Sequence, residues 1–97
     1  MDSHSRRQYR QGDLLLEPVS ADPKARPHRL VPREAGRILL THEEATGHAH
    51  VVEESSAELV ELESGERFLI ADCGASLRHE EHAPVELPPG TYRVTRA

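Results

Sequence analysis

Seven histidines occur in this chain of 97 residues, and four of them fall in two tight groups, Gly47-His48-Ala49-His50 and His79-Glu80-Glu81-His82. Imidazole is the commonest protein ligand for metal ions, so spacing decides whether such groups can serve one ion. On a strand, residues i and i+2 project from the same face ~6–7 Å apart, and His48 and His50 can therefore aim at one site. His79 and His82 are three apart, which puts them on opposite faces of a strand but on one face of a turn. Pro84 biases Ala83 toward an extended conformation and cannot donate a ladder hydrogen bond, so a strand that breaks near Glu81 or His82 would let a turn deliver both rings. His48, His50, His79 and His82 are the candidate metal ligands. Zinc is the first choice for an all-imidazole set, with iron, nickel, manganese and copper also suited.

Glu53, Glu54, Glu80 and Glu81 lie close to these histidines in sequence and offer an oxygen ligand, a partner that orients an imidazole, or a general base. Bland readings compete with each group. His48 and His50 would line the wet face of an amphipathic strand with Val51 packed inside, and His79 to His82 would form a solvated acidic loop. His42-Glu43-Glu44 echoes His79-Glu80-Glu81, while His4 and His28 sit in polar surroundings and are given no role.

The elements that must position these residues are strands. Short runs of strand length recur at Gly12 to Pro18, Arg37 to Thr41, Gly47 to Glu53, Ala57 to Leu62, Glu66 to Asp72, Ala75 to Arg78 and Thr91 to Thr95, with turn residues between them. This spacing predicts an all-β fold, a small barrel or sandwich of six to seven short strands. A helix over Ala57 to Leu62 is the weaker alternative, since Gly65 would close it after two turns. Ser64-Gly65 reads as a hairpin turn, and Pro88-Pro89-Gly90 turns the chain into its last strand.

Residues 1 to 8 lack an apolar pattern and read as a flexible tail, leaving 9 to 97 as a single β domain. Residues 20 to 35 carry Pro23, Pro27 and Pro32 among basic residues and read as a long loop. Only three aromatic residues, Tyr9, Phe68 and Tyr92, are present, so the core is aliphatic and modest. A bound metal or a subunit partner would add appreciably to its stability.

Composition excludes several classes. Cys73 is the only cysteine, so there is no intrachain disulfide and no thiolate-rich zinc site, and Cys73 is expected as a small buried side chain. No stretch approaches the ~18 apolar residues of a membrane helix, and the polar N-terminus lacks a signal-peptide core, which points to a cytoplasmic protein with no membrane contact. Residues 1 to 40 hold eight Lys/Arg against five Asp/Glu, whereas residues 41 to 97 hold four against twelve. An acidic second half repels phosphate and suits cations. Nucleic-acid binding through Arg6, Arg7, Arg10, Lys24, Arg26, Arg29 and Arg33 is the weakest reading, because no aromatic stacking platform accompanies the charge.

The layout from Tyr9-Arg10-Gln11-Gly12-Asp13 through Thr46-Gly47-His48-Ala49-His50 to His79-Glu80-Glu81-His82-Ala83-Pro84 and Leu87-Pro88-Pro89-Gly90-Thr91-Tyr92-Arg93-Val94 resembles a group of small uncharacterised bacterial and phage proteins. That resemblance implies a bacterial or phage-linked cytoplasmic protein and adds little chemistry. His48, His50 and Glu54 together with Pro88-Pro89-Gly90 are also similar to the spacing of cupin-type double-stranded β-helix proteins, which would make the fold cupin-like. The pattern departs where such proteins carry a later histidine, because Arg93 stands there.

Three functions remain in view. The first is a metal-binding β domain held by the histidine cluster. The second is a metal-dependent enzyme at the same site, a cupin-like oxygenase, isomerase or hydrolase. A catalytic zinc normally keeps three protein ligands and a water, so four histidines suit a structural ion or a larger shell better. The third is a metal-free interaction module, a homo-oligomer or an accessory to a protein partner, with the histidines as a pH-sensitive surface.

Overall fold

The computed structural model describes residues 7–42 and 48–96, with His42 placed by its backbone alone. The first six residues of the tail, Glu43 to Gly47 and Ala97 lie outside the described residues, and with them fall His4 and most of the His42-Glu43-Glu44 echo.

Among the described residues ten strands form two antiparallel sheets. In chain order they are β1 (Tyr9–Gln11), β2 (Leu14–Val19), β3 (His28–Leu30), β4 (Ile38–His42), β5 (Ala49–Val52), β6 (Ala57–Leu62), β7 (Arg67–Ala71), β8 (Ala75–His79), β9 (His82–Leu87) and β10 (Gly90–Arg96). One sheet runs β1-β2-β10-β7-β6-β3 and the other β4-β5-β8-β9. The all-β expectation holds, with more and shorter strands than the sequence suggested.

Alternation along each strand makes the core. Leu14 and Leu16 of β2, Leu59 of β6, Leu69 and Ala71 of β7, and Tyr92 of β10 turn inward from the larger sheet. Ile38, Leu40, Val52, Ala75, Leu77 and Leu87 meet them from the smaller one. Each buried Leu contributes roughly 1.5–3 kcal/mol, which is how an aliphatic core compensates for few aromatics. The opposite face of β6 and β7 carries a second cluster of Val60, Leu62, Phe68 and Ile70.

Four local expectations are corrected. The first strand does not start at Gly12: Gly12-Asp13 is the two-residue turn of a β1–β2 hairpin in which Gln11 pairs with Leu14. Gly12 takes φ +59°, as the first central position of a II′ turn requires. Pro18 does not close β2, because β2 continues to Val19 and Pro18 lies beyond the end of β1, where the strand lacks a neighbour on that side.

The 20–35 stretch is not an unstructured loop. It forms a 3-10 turn at Pro23–Ala25, capped by the Asp22 carboxylate on the Lys24 N–H, and then β3. Its cations are engaged locally: Lys24 pairs with Glu58 and Arg29 with Glu61 at 2.6 Å, and Arg33 donates to the Gly36, Glu54 and Ala57 carbonyls. Cys73 is exposed rather than buried, because it sits in the Asp72-Cys73-Gly74 turn that carries the chain from one sheet to the other.

The strand break expected near Glu81 or His82 is present, as the Glu80-Glu81 turn between β8 and β9. Past the turn the chain forms a further strand that the sequence did not suggest, β9, which runs through Pro84 from His82 to Leu87. The strand tolerates proline because β9 is at the edge of its sheet, and because the pairing with β8 shifts between Leu77 and His79. Two residues of β9, Ala83 and Pro84, therefore face one of β8, a bulge that leaves the missing N–H unneeded.

Candidate metal centre

The site lies at one end of the smaller sheet and is built by register. β8 ends at His79, Glu80-Glu81 turns the chain, and β9 begins at His82, so His79 and His82 are directly paired across a two-residue hairpin. Paired residues point to the same side of a sheet, which resolves the three-residue spacing in favour of the turn. Neither Glu80 nor Glu81 has positive φ, so this turn lacks the twist of the favoured hairpin types, and the adjacent bulge takes up the difference.

β5 supplies the next ring. Val51 pairs with Arg78 and Val52 with Leu77, and one further step in that register sets His50 opposite His79. His50, His79 and His82 thus form a row across β5, β8 and β9. His50 shares the inward parity of Val52 and His79 that of Leu77. The ring centroids are 4.4 Å apart for His50 and His79, 4.5 Å for His79 and His82, and 6.0 Å for His50 and His82, which stack. His48 precedes β5 and meets His79 edge-on at 5.7 Å. His79 is the hub that touches the other three.

Burial grades across the cluster. His50 is 0% exposed and His79 is buried, whereas the His48 side chain keeps 28% of its surface. The bland reading of His48 and His50 as a wet strand face does not describe this arrangement, since both His50 and Val51 are buried on opposite sides of β5.

Gln11, which sequence inspection passed over, fixes the innermost ring. It is 3% exposed, and its amide N–H groups donate to the carbonyls of Leu77 at 3.0 Å and Ala83 at 2.9 Å. Its carbonyl oxygen is therefore left to accept, and the His50 Nδ1 at 2.9 Å must be the donor. That places the lone pair of neutral His50 on Nε2, which lies 3.6 Å from Asp13 Oδ1. A ring whose far N–H is held by an amide carbonyl is the arrangement that orients a metal-ligating histidine. The β1–β2 hairpin also closes on His82: a Cβ built on Gly12 would stand 2.7 Å from His82 Nε2.

His79 has the opposite tautomer. The Glu81 N–H donates to its Nδ1 at 3.0 Å, so the neutral ring carries its proton on Nε2. An ion taken at Nε2 would move that proton to Nδ1, against the Glu81 N–H, and an ion taken at Nδ1 would displace the Glu81 N–H directly. Either mode couples ligation to the Glu80-Glu81 turn.

Carboxylates complete the mouth. Donor atoms of His48, His79 and Glu80 all lie within 4.8 Å of one another, and Glu81 Oε2 is 3.5 Å from His48 Nδ1. Hydrogen bonds from its own backbone N–H and that of Ala49, with His48 and His79 nearby, hold the Glu80 carboxyl below the ordinary glutamate range against an opposing desolvation effect. A carboxylate that stays ionised is a competent hard ligand beside imidazole. Glu54, the cupin-spaced glutamate, is not at this site: it accepts the Ser76 N–H at 3.1 Å, toward the other end of β8. Arg93 is also elsewhere, against Phe68 on the outer face of the larger sheet.

Among the described residues no helix is long and apolar enough to cross a membrane. No curated protein and no solved structure matches the chain, so neither the cupin similarity nor a bacterial or phage link receives support from these comparisons. Residues 10–97, which span every strand from β2 onward and all four clustered histidines, match one family model, and the chain belongs to that family, the Domain of unknown function DUF8820.

Proposed function

We propose that this domain binds one divalent metal ion at the histidine cluster, with zinc the first candidate. His48, His79 and Glu80 supply the donors drawn closest together, and His50 and His82 flank them. The observation that carries the proposal is the row His50-His79-His82 at positions where the same strands otherwise present Val52, Leu77 and Leu87 to the core. His50 and His79 are buried and His82 is half-buried beside them, so the sheet gives up apolar packing to bring three imidazoles side by side. An ion at their convergence accounts for that.

The donor set fits the group. Tetrahedral zinc with bonds of ~2.0–2.1 Å needs donors about 3.3 Å apart. Groups within 4.8 Å reach that spacing by closing at the exposed Glu80-Glu81 turn and at His48, the two parts of the site nearest solvent. Bound metal would add to the stability of a small core by mass action, which favours a structural role in a cytoplasmic protein.

Calorimetric titration of the untagged, chelator-stripped full chain with Zn2+, Ni2+, Mn2+, Fe2+ and Cu2+ tests this. One ion per chain, with a rise in unfolding temperature, is the expected result. Absence of saturable binding by all five metals would sink the proposal.

A further inference from the structure

We infer that the cleft between the two sheets beside β4 and β10 is a second ligand site, for a small organic carboxylate with an apolar tail, and that Arg67 binds the carboxylate. The cleft encloses about 470 Å3, within the range of small-molecule sites, which combine apolar walls with a few placed polar groups. Leu14, Val31, Leu40 and Val94 supply apolar wall, and Arg67, Arg96, Thr41 and Glu34 are the polar groups that bear on its charge.

Arg67 is the anomaly. It begins β7, pairs across to Val94 on β10 and shares the inward parity of Leu69, so its guanidinium enters the space between the sheets. Nη1 donates to the carbonyl of Leu40 at 3.3 Å, at the register shift that interrupts β4. Nε is buried without a hydrogen-bond partner, and among the described residues no carboxylate is paired with this side chain. Arg67 as a whole is half-buried, but this edge of its guanidinium is withdrawn from water, and a buried N–H without an acceptor is costly.

The chemistry of the partner follows from the edge that remains. With Nη1 engaged at Leu40, Nε and Nη2 form the side-on fork that accepts a carboxylate through two parallel hydrogen bonds. Among the lining residues Arg67 and Arg96 stand against Glu34, and Arg96 is in turn tied to Asp13 at 3.8 Å, so the site offers one uncommitted cationic fork, which suits a monoanion better than a phosphate dianion. The apolar walls take a short alkyl or aryl group. This site shares no ligand residue with the histidine cluster.

The test is an NMR titration of the full-length labelled protein, in chelator to keep metal from the histidines, with hexanoate, hexanol and hexyl phosphate as probes. Hexanoate should shift the amides of Leu40, Arg67 and Val94 saturably, with Kd in the roughly millimolar range of so small a ligand. Hexanol, and hexanoate with Arg67→Met, should bind about tenfold more weakly or worse. Arg67→Lys keeps the charge without the fork and should weaken hexanoate several-fold, a comparison that stands if the Met variant does not fold. No saturation in the unsubstituted protein, equal binding of hexanol, or unchanged affinity in the Arg67 variants overturns the site. Tighter binding of hexyl phosphate overturns the carboxylate assignment.

Discussion

Replacing Gln11 by Leu removes the group that orders the innermost histidine, and its cost can be worked from three contacts. The variant deletes the bonds to the Leu77 and Ala83 carbonyls and the one accepted from His50 Nδ1. Each lost bond is worth about 0.5–1.5 kcal/mol net, and burial of the partners left behind pushes toward the upper end. The sum is about 2–4 kcal/mol, a large share of the roughly 5–15 kcal/mol available to a domain of this size. At about 4–8 °C per kcal/mol, the melting temperature of chelator-stripped protein should fall by at least about 8 °C. Metal affinity should fall by about 10–100-fold, the usual effect of removing a group that orients a ligand. Calorimetry for stability and Zn2+ titration for affinity read the two effects separately. The exposed Gln8, which donates to Glu17 at 2.9 Å, is the control, and its Leu variant should stay within about 0.5 kcal/mol of the parent. A Gln11→Leu protein that melts with the parent and binds Zn2+ equally well would refute the assignment of the His50 tautomer and of Gln11 as its support.

Other outcomes follow from the same geometry. Gly12→Ala should cost about 1–3 kcal/mol, because an L residue is strained at φ +59° and its Cβ would strike His82; denaturant unfolding measures it, and no loss would contradict the packing of the β1–β2 hairpin on that ring. The Glu80 carboxyl is held below its ordinary value by the backbone N–H groups of Glu80 and Ala49. Its contribution to stability is present above the unfolded value near ~4.3 and is lost as pH falls through the lower folded value. Glu80→Gln should therefore lose part of the acid dependence of stability below about pH 4.3; identical acid unfolding curves would count against those hydrogen bonds. Saturation with Zn2+ should change the exchange rate and chemical shift of the Glu81 amide, since ligation of His79 at either nitrogen disturbs the bond that amide makes; an unmoved Glu81 amide at saturation would show that His79 is not a ligand.

The legible part of this fold is the part written in local alternation. Ala57 to Leu62 is a strand over the residues its apolar spacing marks, and Ser64-Gly65 forms the turn after it. The pairing of His79 with His82 was within reach because a two-residue turn is the one strand geometry that puts residues three apart on one side. What stayed hidden depends on partners distant in sequence. Gln11 meets His50 across 39 residues and Leu77 across 66, and nothing around a single glutamine announces such contacts. Pro84 pointed to the break before His82, but its neighbours do not reveal that the chain resumes through it as β9, an edge strand with a bulge. Cys73 looked buried by residue type, whereas the passage between sheets needs a turn there and exposes it. Glu54 kept a metal-ligand spacing on paper and lost it in space, since it lies past the end of β5 and its carboxylate is held by the Ser76 N–H toward the other end of β8.

Metal content tests the central claim most directly. Untagged protein purified without chelator, beside His48→Ala, should be assayed for metal per chain by elemental analysis, with circular dichroism to compare the folds. The His48 side chain keeps 28% of its surface, against 0% for His50, so its removal can empty the site while the β sandwich persists. Near one metal ion per chain in the parent and a small fraction of that in a folded His48→Ala protein is the predicted result. A parent protein without metal that cannot be loaded on addition of Zn2+, or equal metal content in the two proteins, would contradict it.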